Sequence, residues 1–188
     1  MVARDYDDFI WYTNAFDDNE LKQIIEIAKG YQSKDATITG DPEGPRVEEE
    51  VRSSNIKWLG FNLETEWIYK RILKYMEDAN SQMWEFDWDG RTEAIQYTEY
   101  YDVKKGHYDW HMDVCSANPQ RKISAVVLLD DDYEGGLLEL RSGHGVNHLE
   151  RKKGNLIVFP SYMLHRVTSV TKGTRRSLVI WSGGSYYR

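Results

Sequence analysis

Apolar residues recur at helical spacing in the first third of the chain. Asp17 or Asp18 can cap a helix whose apolar positions repeat every three or four residues until Gly30 ends it. A second apolar stripe predicts another helix from about residue 64 to about residue 83. Between them, residues 39–55 contain two glycines, two prolines and three consecutive glutamates, which predicts a long exposed loop or hairpin.

From residue 95 the pattern changes to short β-rich runs separated by glycine-containing turns. Many short strands at this spacing predict an all-β sandwich or barrel, and no helix-length segments lie between them to support a parallel α/β sheet. We therefore predict a mainly β protein with N-terminal helices and a jelly-roll core. In this prediction 1–188 is a single domain, with helical support and a substrate loop in 1–94 and the jelly roll in 95–188.

The composition is that of a globular protein. The 188 residues are 40% hydrophobic and 13% aromatic, which is enough to build a sizeable core. The longest apolar run is far shorter than a membrane span, and the first residues lack the pattern of a secretory signal. The single cysteine, Cys115, excludes an internal disulfide and fits a reducing compartment, so a cytoplasmic location is expected.

The charge balance bears on possible partners. With 24 basic and 31 acidic residues, the formal net charge is −7. An acidic surface argues against non-specific binding to nucleic acid or to an anionic membrane, so neither partner is expected. The sequence leaves the oligomeric state open.

His111, Asp113 and His165 form the strongest chemical signal. His111 and Asp113 stand two residues apart at the end of a predicted strand, so their side chains project from the same face. His165 follows another strand and a turn at Pro160. Two imidazoles and one carboxylate leave positions open around a metal, which is typical of non-haem Fe(II) oxygenases and not of structural zinc. The HxD pair alone is a weak signal, because most such pairs are polar surface residues.

The remaining histidines are weaker candidates. His144 and His148 have a spacing that would suit a helix, but Gly143 and Gly145 disfavour one there, so we predict loop or strand-surface positions. His107 and His111 share this spacing but lack the glutamate of the zinc-protease motif.

Arg175 is a candidate anion ligand. It opens the last predicted strand and shares one face with Ser177 and Trp181, while Arg176 points to the other face. A guanidinium inside a mostly apolar barrel is costly unless an anion meets it, and it binds a carboxylate through two hydrogen bonds. The alternative is an internal ion pair, for instance with Glu99.

Taken together, these motifs resemble the 2-oxoglutarate- and Fe(II)-dependent oxygenases, and among them the prolyl 4-hydroxylase-like branch. The resemblance extends from Ile95 to Trp181 and is weaker in the first helix and in residues 51–60. The matching residues are Tyr101, Gly106, Tyr108, His111, Asp113, Tyr133, Glu134, Gly135, Gly136, Leu138, Gly154, Ile157, Phe159, Pro160, His165, Val167, Gly173, Arg175 and Trp181.

The resemblance implies a double-stranded β-helix that binds Fe(II), 2-oxoglutarate and O2, with ascorbate as an accessory reductant. Leu128 departs from the pattern, because hypoxia-sensing enzymes place a 2-oxoglutarate-binding tyrosine there. Ser177 or Tyr101 would then compensate. The implied catalytic residues are His111, Asp113 and His165 as iron ligands and Arg175 on the 5-carboxylate of 2-oxoglutarate, with Tyr101 and Ser177 in the same pocket.

The expected reaction is hydroxylation of a C–H bond of a peptidyl proline, with succinate and CO2 as co-products. Arg52, Tyr97 and Trp181 are candidate contacts to a peptide or protein substrate. Two alternatives remain open at this point. One is hydroxylation of a free amino acid or another small molecule, and the other is a non-catalytic jelly-roll binding module.

Overall fold

The computed structural model describes residues 9–38, 46–143 and 145–186, together with the backbone of residues 2–4. The helices are α1 Asp18–Lys29 and α2 Glu66–Ala79, with a π-helical turn at Asn80–Trp84 and a 3-10 turn at Asp102–Lys104. The strands are β1 Val2–Arg4, β2 Ile10–Tyr12, β3 Lys34–Asp35, β4 Arg52–Ser53, β5 Asn55–Leu59, β6 Trp88–Thr92, β7 Ile95–Tyr101, β8 His107–His111, β9 Arg121–Leu128, β10 Glu134–Gly135, β11 Leu138–Ser142, β12 Gly145–His148, β13 Leu156–Pro160, β14 Leu164–Val167, β15 Val170–Lys172 and β16 Thr174–Gly184.

Two antiparallel sheets face each other. The larger sheet has the order β1-β2-β13-β9-β16-β7-β5-β3, with β6 beside β16. The smaller sheet has the order β12-β11-β14-β8-β4, and β10 pairs with β15 in a separate two-stranded ribbon. The predicted fold class, a jelly-roll core with N-terminal helices, is confirmed.

Alternation along the central strands builds two cores on opposite faces of the larger sheet. On β9, Ala125 and Val127 pack under the helices, while Val126 and Leu128 face the smaller sheet. The period of two in a strand therefore separates a helix-facing core from a core between the sheets. The second core surrounds the cavity described below.

Both predicted helices are present. Asp17 forms a capping box with Glu20, and Gly30 is the C-cap of α1. The second predicted helix corresponds to α2 and its π-helical extension, which ends at Glu85 in a left-handed conformation. Neither α1 nor α2 has the length and apolar character that crossing a membrane requires.

The prediction of an exposed loop or hairpin over residues 39–55 is wrong at the C-terminal end of this segment. Residues 39–45 lie outside the described part of the chain, but Arg52 and Ser53 form β4 and pair with Tyr108 and His107. Their polarity suggested solvent exposure, yet both are buried. Nε of Arg52 donates to Oγ of Ser54 at 3.0 Å and its guanidinium stacks on Tyr108, and these contacts hold the buried side chain in place.

The N-terminal half contributes more than helices. Strands β2 and β5 belong to the larger sheet and β4 belongs to the smaller one, so both sheets contain residues that precede Ile95. The prediction that residues 1–94 provide only helical support and a substrate loop is therefore incomplete. It missed these strands because short strands with few apolar residues show little periodicity. That the chain forms a single domain stays a prediction.

The close approach of Gly154 to Phe16 can be tested by mutation. Gly154 has φ +79°, and a Cβ at this position would overlap the carbonyl oxygen of Phe16. Gly154→Ala should lower the free energy of unfolding by about 1–3 kcal/mol, measured by denaturant titration. Gly143→Ala, where a Cβ would meet nothing within 4 Å, is the control and should change it by less than about 0.5 kcal/mol. Equal effects of the two changes would contradict the described turn.

Candidate active site

The pairing of β8 with β14 brings two imidazoles together. His111 and His165 are direct partners across the two strands, and their ring centroids lie 4.1 Å apart. Nδ1 of His111 lies 2.7 Å from the Asp109 carbonyl, and Nδ1 of His165 lies 2.9 Å from the Met163 carbonyl. A carbonyl only accepts, so Nδ1 carries a proton in each ring, and Nε2 is the nitrogen available to a metal.

Asp113 completes a group of three potential metal ligands. Its Oδ1 lies 3.9 Å from Nε2 of His111, and its Oδ2 lies 3.5 Å from Nε2 of His165. Ligand atoms of the three side chains lie within 4.8 Å of one another, and no other such group occurs in the described residues. Two imidazole nitrogens and one carboxylate, without a thiolate, form the donor set of a non-haem Fe(II) site. These residues therefore fit Fe(II).

The protonation states suit metal binding. Burial, with a further contribution from His165, lowers the pKa of His111 to about 3, so this ring is neutral near pH 7. Burial alone would raise the pKa of Asp113. The neighbouring imidazoles of His165 and His111 and the hydroxyl of Ser124 outweigh it and lower the pKa. The site thus presents a neutral imidazole and a carboxylate, the forms that coordinate metals.

Arg175 lies in the same cavity as the three ligands. The cavity has a volume of about 470 Å³ and extends between the two sheets. Arg175 is 1% exposed, its Nη1 donates to Oγ of Ser177 at 2.9 Å, and its Nε has no hydrogen-bond partner among the described residues. A buried guanidinium with an unused donor fits a carboxylate ligand such as the far end of 2-oxoglutarate.

The predicted faces of β16 are confirmed. Arg176 points away from the cavity, where it pairs with Asp130 at 2.8 Å and with Glu99 at 3.5 Å. Glu99 lies on this side of the sheet with Arg176, away from Arg175, so the alternative ion pair between Glu99 and Arg175 is wrong. Ser177 faces the cavity beside Arg175.

The predicted positions of Tyr97 and Tyr101 are wrong. Their hydroxyls lie 3.4 and 2.9 Å from Glu99 on the side of the sheet away from the cavity, and Tyr97 packs beneath the helices. Gln96 and Tyr100 line the cavity instead. Most of β7 is buried on both faces, so hydrophobic alternation could not distinguish the cavity side of two consecutive tyrosines.

Trp181 and Arg52 line the cavity as predicted. The guanidinium of Arg121 lies 4.0 Å from the Trp181 ring centroid, and Trp58 packs against the same ring at 6.2 Å. Arg52 stacks on Tyr108 at 4.4 Å. Their contacts with a substrate stay predictions. Leu128, the departure from the family pattern, is buried opposite Ser177 in the core between the sheets.

Three tyrosines near the site were not predicted to contribute to it. Tyr108 stacks on His111 with a centroid distance of 3.5 Å, and Tyr100 lies under Arg175 at 5.2 Å. A Cβ on Gly136 would come within 3.0 Å of both Arg175 and Tyr133, so this glycine lets the two side chains approach. Tyr108, Tyr133 and Gly136 are among the residues that match the family pattern, so that pattern could have identified them as site residues.

The other histidines lie apart from this group. His148 ends β12 and pairs with Glu139 at 2.8 Å while its side chain is largely exposed, as predicted for a strand-surface residue. His107 contacts the backbone carbonyls of Lys105 and Glu50. His144 lies outside the described residues.

Comparisons with known proteins agree with this geometry. Residues 95–183 match the family described as the 2OG-Fe(II) oxygenase superfamily. A PKHD-type hydroxylase from Hyphomonas neptunium is 37% identical over 86 residues, which cover 41% of this chain and 38% of the relative. The chain thus covers less than two fifths of the length of the curated relatives that it matches.

Solved structures share the fold over most of the chain. A prolyl-4-hydroxylase from Pseudomonas putida superposes with a TM-score of 0.72 at 18% identity, covering 94% of this chain and 92% of that one. A prolyl hydroxylase from Trichoplax adhaerens, in complex with a hypoxia inducible factor oxygen degradation domain peptide fragment, gives 0.79 at 15% identity, covering 95% and 84%. Just under half of the chain therefore matches the 2OG-Fe(II) oxygenase superfamily, and the fold over most of the chain is that of the solved prolyl hydroxylases. The match supports Fe(II), 2-oxoglutarate and O2 as the metal and cosubstrates.

Removing any one of the three ligands should abolish tight metal binding. His111→Ala, Asp113→Ala and His165→Ala each delete one of three donors, and no other described histidine is placed to replace it. Anaerobic calorimetry with Fe(II), or with Mn(II), should find one ion per wild-type chain and none bound tightly by the variants. His148→Ala is the control and should bind like wild type. Full occupancy in the triple variant would contradict the assignment.

Arg175→Ala should weaken 2-oxoglutarate binding by roughly 2–5 kcal/mol, because a buried carboxylate loses its charged partner. Arg175→Lys should be milder, since it keeps the charge without the two-pronged geometry. Arg176→Ala should reduce stability by leaving Asp130 unpaired but should not change 2-oxoglutarate affinity. Calorimetry on the Mn(II)-loaded protein measures all three. If Arg176→Ala alone lost affinity, the faces of β16 would be reversed.

Proposed function

We propose that this chain is an Fe(II)- and 2-oxoglutarate-dependent dioxygenase that hydroxylates a peptidyl proline. The observation that carries the proposal is a single cavity lined by the three candidate metal ligands and by Arg175 with its unused donor. A metal-binding site alone would fit many proteins, whereas a metal site beside a buried carboxylate receptor favours 2-oxoglutarate chemistry.

One set of residues would bind the metal and another would bind the cosubstrate. Nε2 of His111, Nε2 of His165 and the carboxylate of Asp113 would hold Fe(II). When bound, Fe(II) and 2-oxoglutarate supply the oxidising chemistry that transfers one oxygen atom of O2 to a C–H bond and yields succinate and CO2. Arg175, supported by Ser177, fixes the far carboxylate of 2-oxoglutarate and so sets the orientation of the whole molecule.

Apolar side chains form part of the cavity wall. Val126, Leu138, Val167 and Val179 line the cavity between the two sheets. In such surroundings the charge of Arg175 is weakly screened and acts strongly on a bound carboxylate. The same walls limit access of water to the oxidising centre, which restricts side reactions.

The mouth of the cavity supports a peptidyl substrate. Trp58 and Trp181 form an aromatic wall beside Asp113, against which the compact apolar ring of a proline can pack. Arg52 lies in the same cavity, where it can donate to a peptide carbonyl. It is held in β4 by its stacking on Tyr108, so its proposed contact does not depend on a moving loop. The complexed peptide of the Trichoplax adhaerens enzyme favours the same substrate class.

Mass spectrometry on proline-containing peptides, with Fe(II), 2-oxoglutarate and ascorbate, tests the function. We expect a gain of one oxygen on proline together with succinate. Arg52→Ala should reduce peptide hydroxylation about tenfold or more, because a buried charged contact is lost, while 2-oxoglutarate affinity stays unchanged. Arg91→Ala, which removes an exposed ion pair with Asp89, is the matched control.

The other outcomes separate the alternatives. Oxidation of free amino acids or other small molecules with every peptide unmodified would contradict the substrate class and leave the metal and cosubstrate assignments standing. Metal and 2-oxoglutarate binding without succinate from any substrate would favour a binding module.

A further inference from the structure

Two buried serines lie directly behind Asp113. Ser124 is on β9, and Ser161 follows β13. Oγ of Ser124 lies 2.6 Å from Oδ2 of Asp113, and Oγ of Ser161 lies 2.9 Å from Oγ of Ser124. Both serines are fully buried, and neither has a role in the reaction described above.

The hydrogen bonds that link Ser161, Ser124 and Asp113 have a defined direction. A carboxylate that binds a metal is ionised and can only accept hydrogen bonds. Ser124 must therefore give its single hydroxyl hydrogen to Asp113, which leaves its oxygen free to accept from Ser161. The donor order is Ser161 to Ser124 to Asp113, and each hydrogen bond polarises the next.

Ser161 also holds the backbone of Asp113. Asp113 lies beyond the end of β8, so no strand ladder fixes it. The carbonyl oxygen of Ser161 accepts from the backbone N–H groups of Asp113 at 2.9 Å and Val114 at 3.1 Å. The N–H of Ser161 donates to the carbonyl of Lys122 at 2.9 Å. Ser161 therefore contacts the backbone of Asp113 and, through Ser124, its carboxylate, and Nη1 of Arg121 also donates to the Asp113 carbonyl at 3.1 Å.

This arrangement has a consequence for coordination. A free carboxylate can rotate and bind a cation through one oxygen or through both. The Ser124 hydroxyl fixes that rotation and engages a lone pair of Oδ2, which disfavours binding through both oxygens. Binding through one oxygen would leave more of the metal's coordination positions available to the cosubstrate and O2.

We propose that Ser124 and Ser161 are positioning residues that hold Asp113 in the orientation that binds the metal through one oxygen. This inference rests on the proposed function only in identifying Asp113 as a metal ligand. Ordinary core hydrogen bonds would instead affect stability alone, so the test must measure the metal site directly.

Ser182 is the matched control. It is also a buried serine with a fully used hydroxyl, which donates to the Arg91 carbonyl at 2.8 Å and accepts from Nε1 of Trp88 at 2.6 Å. It lies on β16, next to β9, and makes no hydrogen bond to a candidate ligand. Ser182→Ala should therefore lower stability without changing the metal site.

The experiment compares Mn(II) affinity, by calorimetry without 2-oxoglutarate, with the visible absorption spectrum of the Co(II)-loaded protein. Ser124→Ala and Ser161→Ala should weaken Mn(II) binding about 10–100-fold, the range typical of residues that orient metal ligands, and should alter the Co(II) spectrum. Ser124→Thr retains the hydroxyl and should restore both readouts. Ser182→Ala should match wild type.

Wild-type affinity and spectrum in Ser124→Ala would overturn the inference, as would equal changes in Ser182→Ala. Wild-type protein that binds Mn(II) but hydroxylates nothing would overturn the proposed function alone. Wild-type protein that binds no metal would overturn both.

Discussion

The antiparallel pairing of His111 with His165 is the contact on which the candidate site depends. The two residues are far apart in sequence, and only the register of β8 on β14 places their rings side by side. Because side chains alternate along a strand, a slip of one residue would turn one imidazole to the opposite face of the sheet. The pairing of Leu140 with His165 fixes β14 from its other side. The smaller sheet therefore determines the geometry of two of the three ligands.

The larger sheet supplies the other half of the site. Arg175 belongs to β16, which pairs with β9 on one side and with β7 on the other. This central position buries its guanidinium, while the opposite face of the same strand pairs Arg176 with Asp130. The apolar core between the sheets sets how far Arg175 stands from the metal ligands. The stability of the fold and the fit of the cosubstrate thus rest on the same packing.

Local patterns predicted the parts of this protein in which neighbours in sequence determine the structure. The capping box at Asp17 and the opposite faces of Arg175 and Arg176 follow from helix and strand periodicity. The choice between Tyr100 and Tyr101 did not, because β7 is largely buried on both faces. Burial of Arg52 was also missed, since its partner Tyr108 is distant in sequence.

The supporting contacts of Asp113 carry no local signal at all. Ser124 and Ser161 are distant in sequence, and the pairing of β9 with β13 in the larger sheet places them together behind Asp113. Serine is common on surfaces and in turns, so its type gives no warning of a buried role. Sequence motifs therefore identified the candidate ligands, whereas the residues that orient one of them required the structure.

Anomalous diffraction from crystals grown without oxygen in Fe(II) and 2-oxoglutarate tests the central claim most directly. The geometry predicts one peak at the iron absorption edge, within bonding distance of His111, Asp113 and His165. It also predicts electron density for 2-oxoglutarate that reaches from this peak to the guanidinium of Arg175. A fully ordered site without an iron peak between these three side chains, or 2-oxoglutarate bound with its far carboxylate away from Arg175, would contradict it.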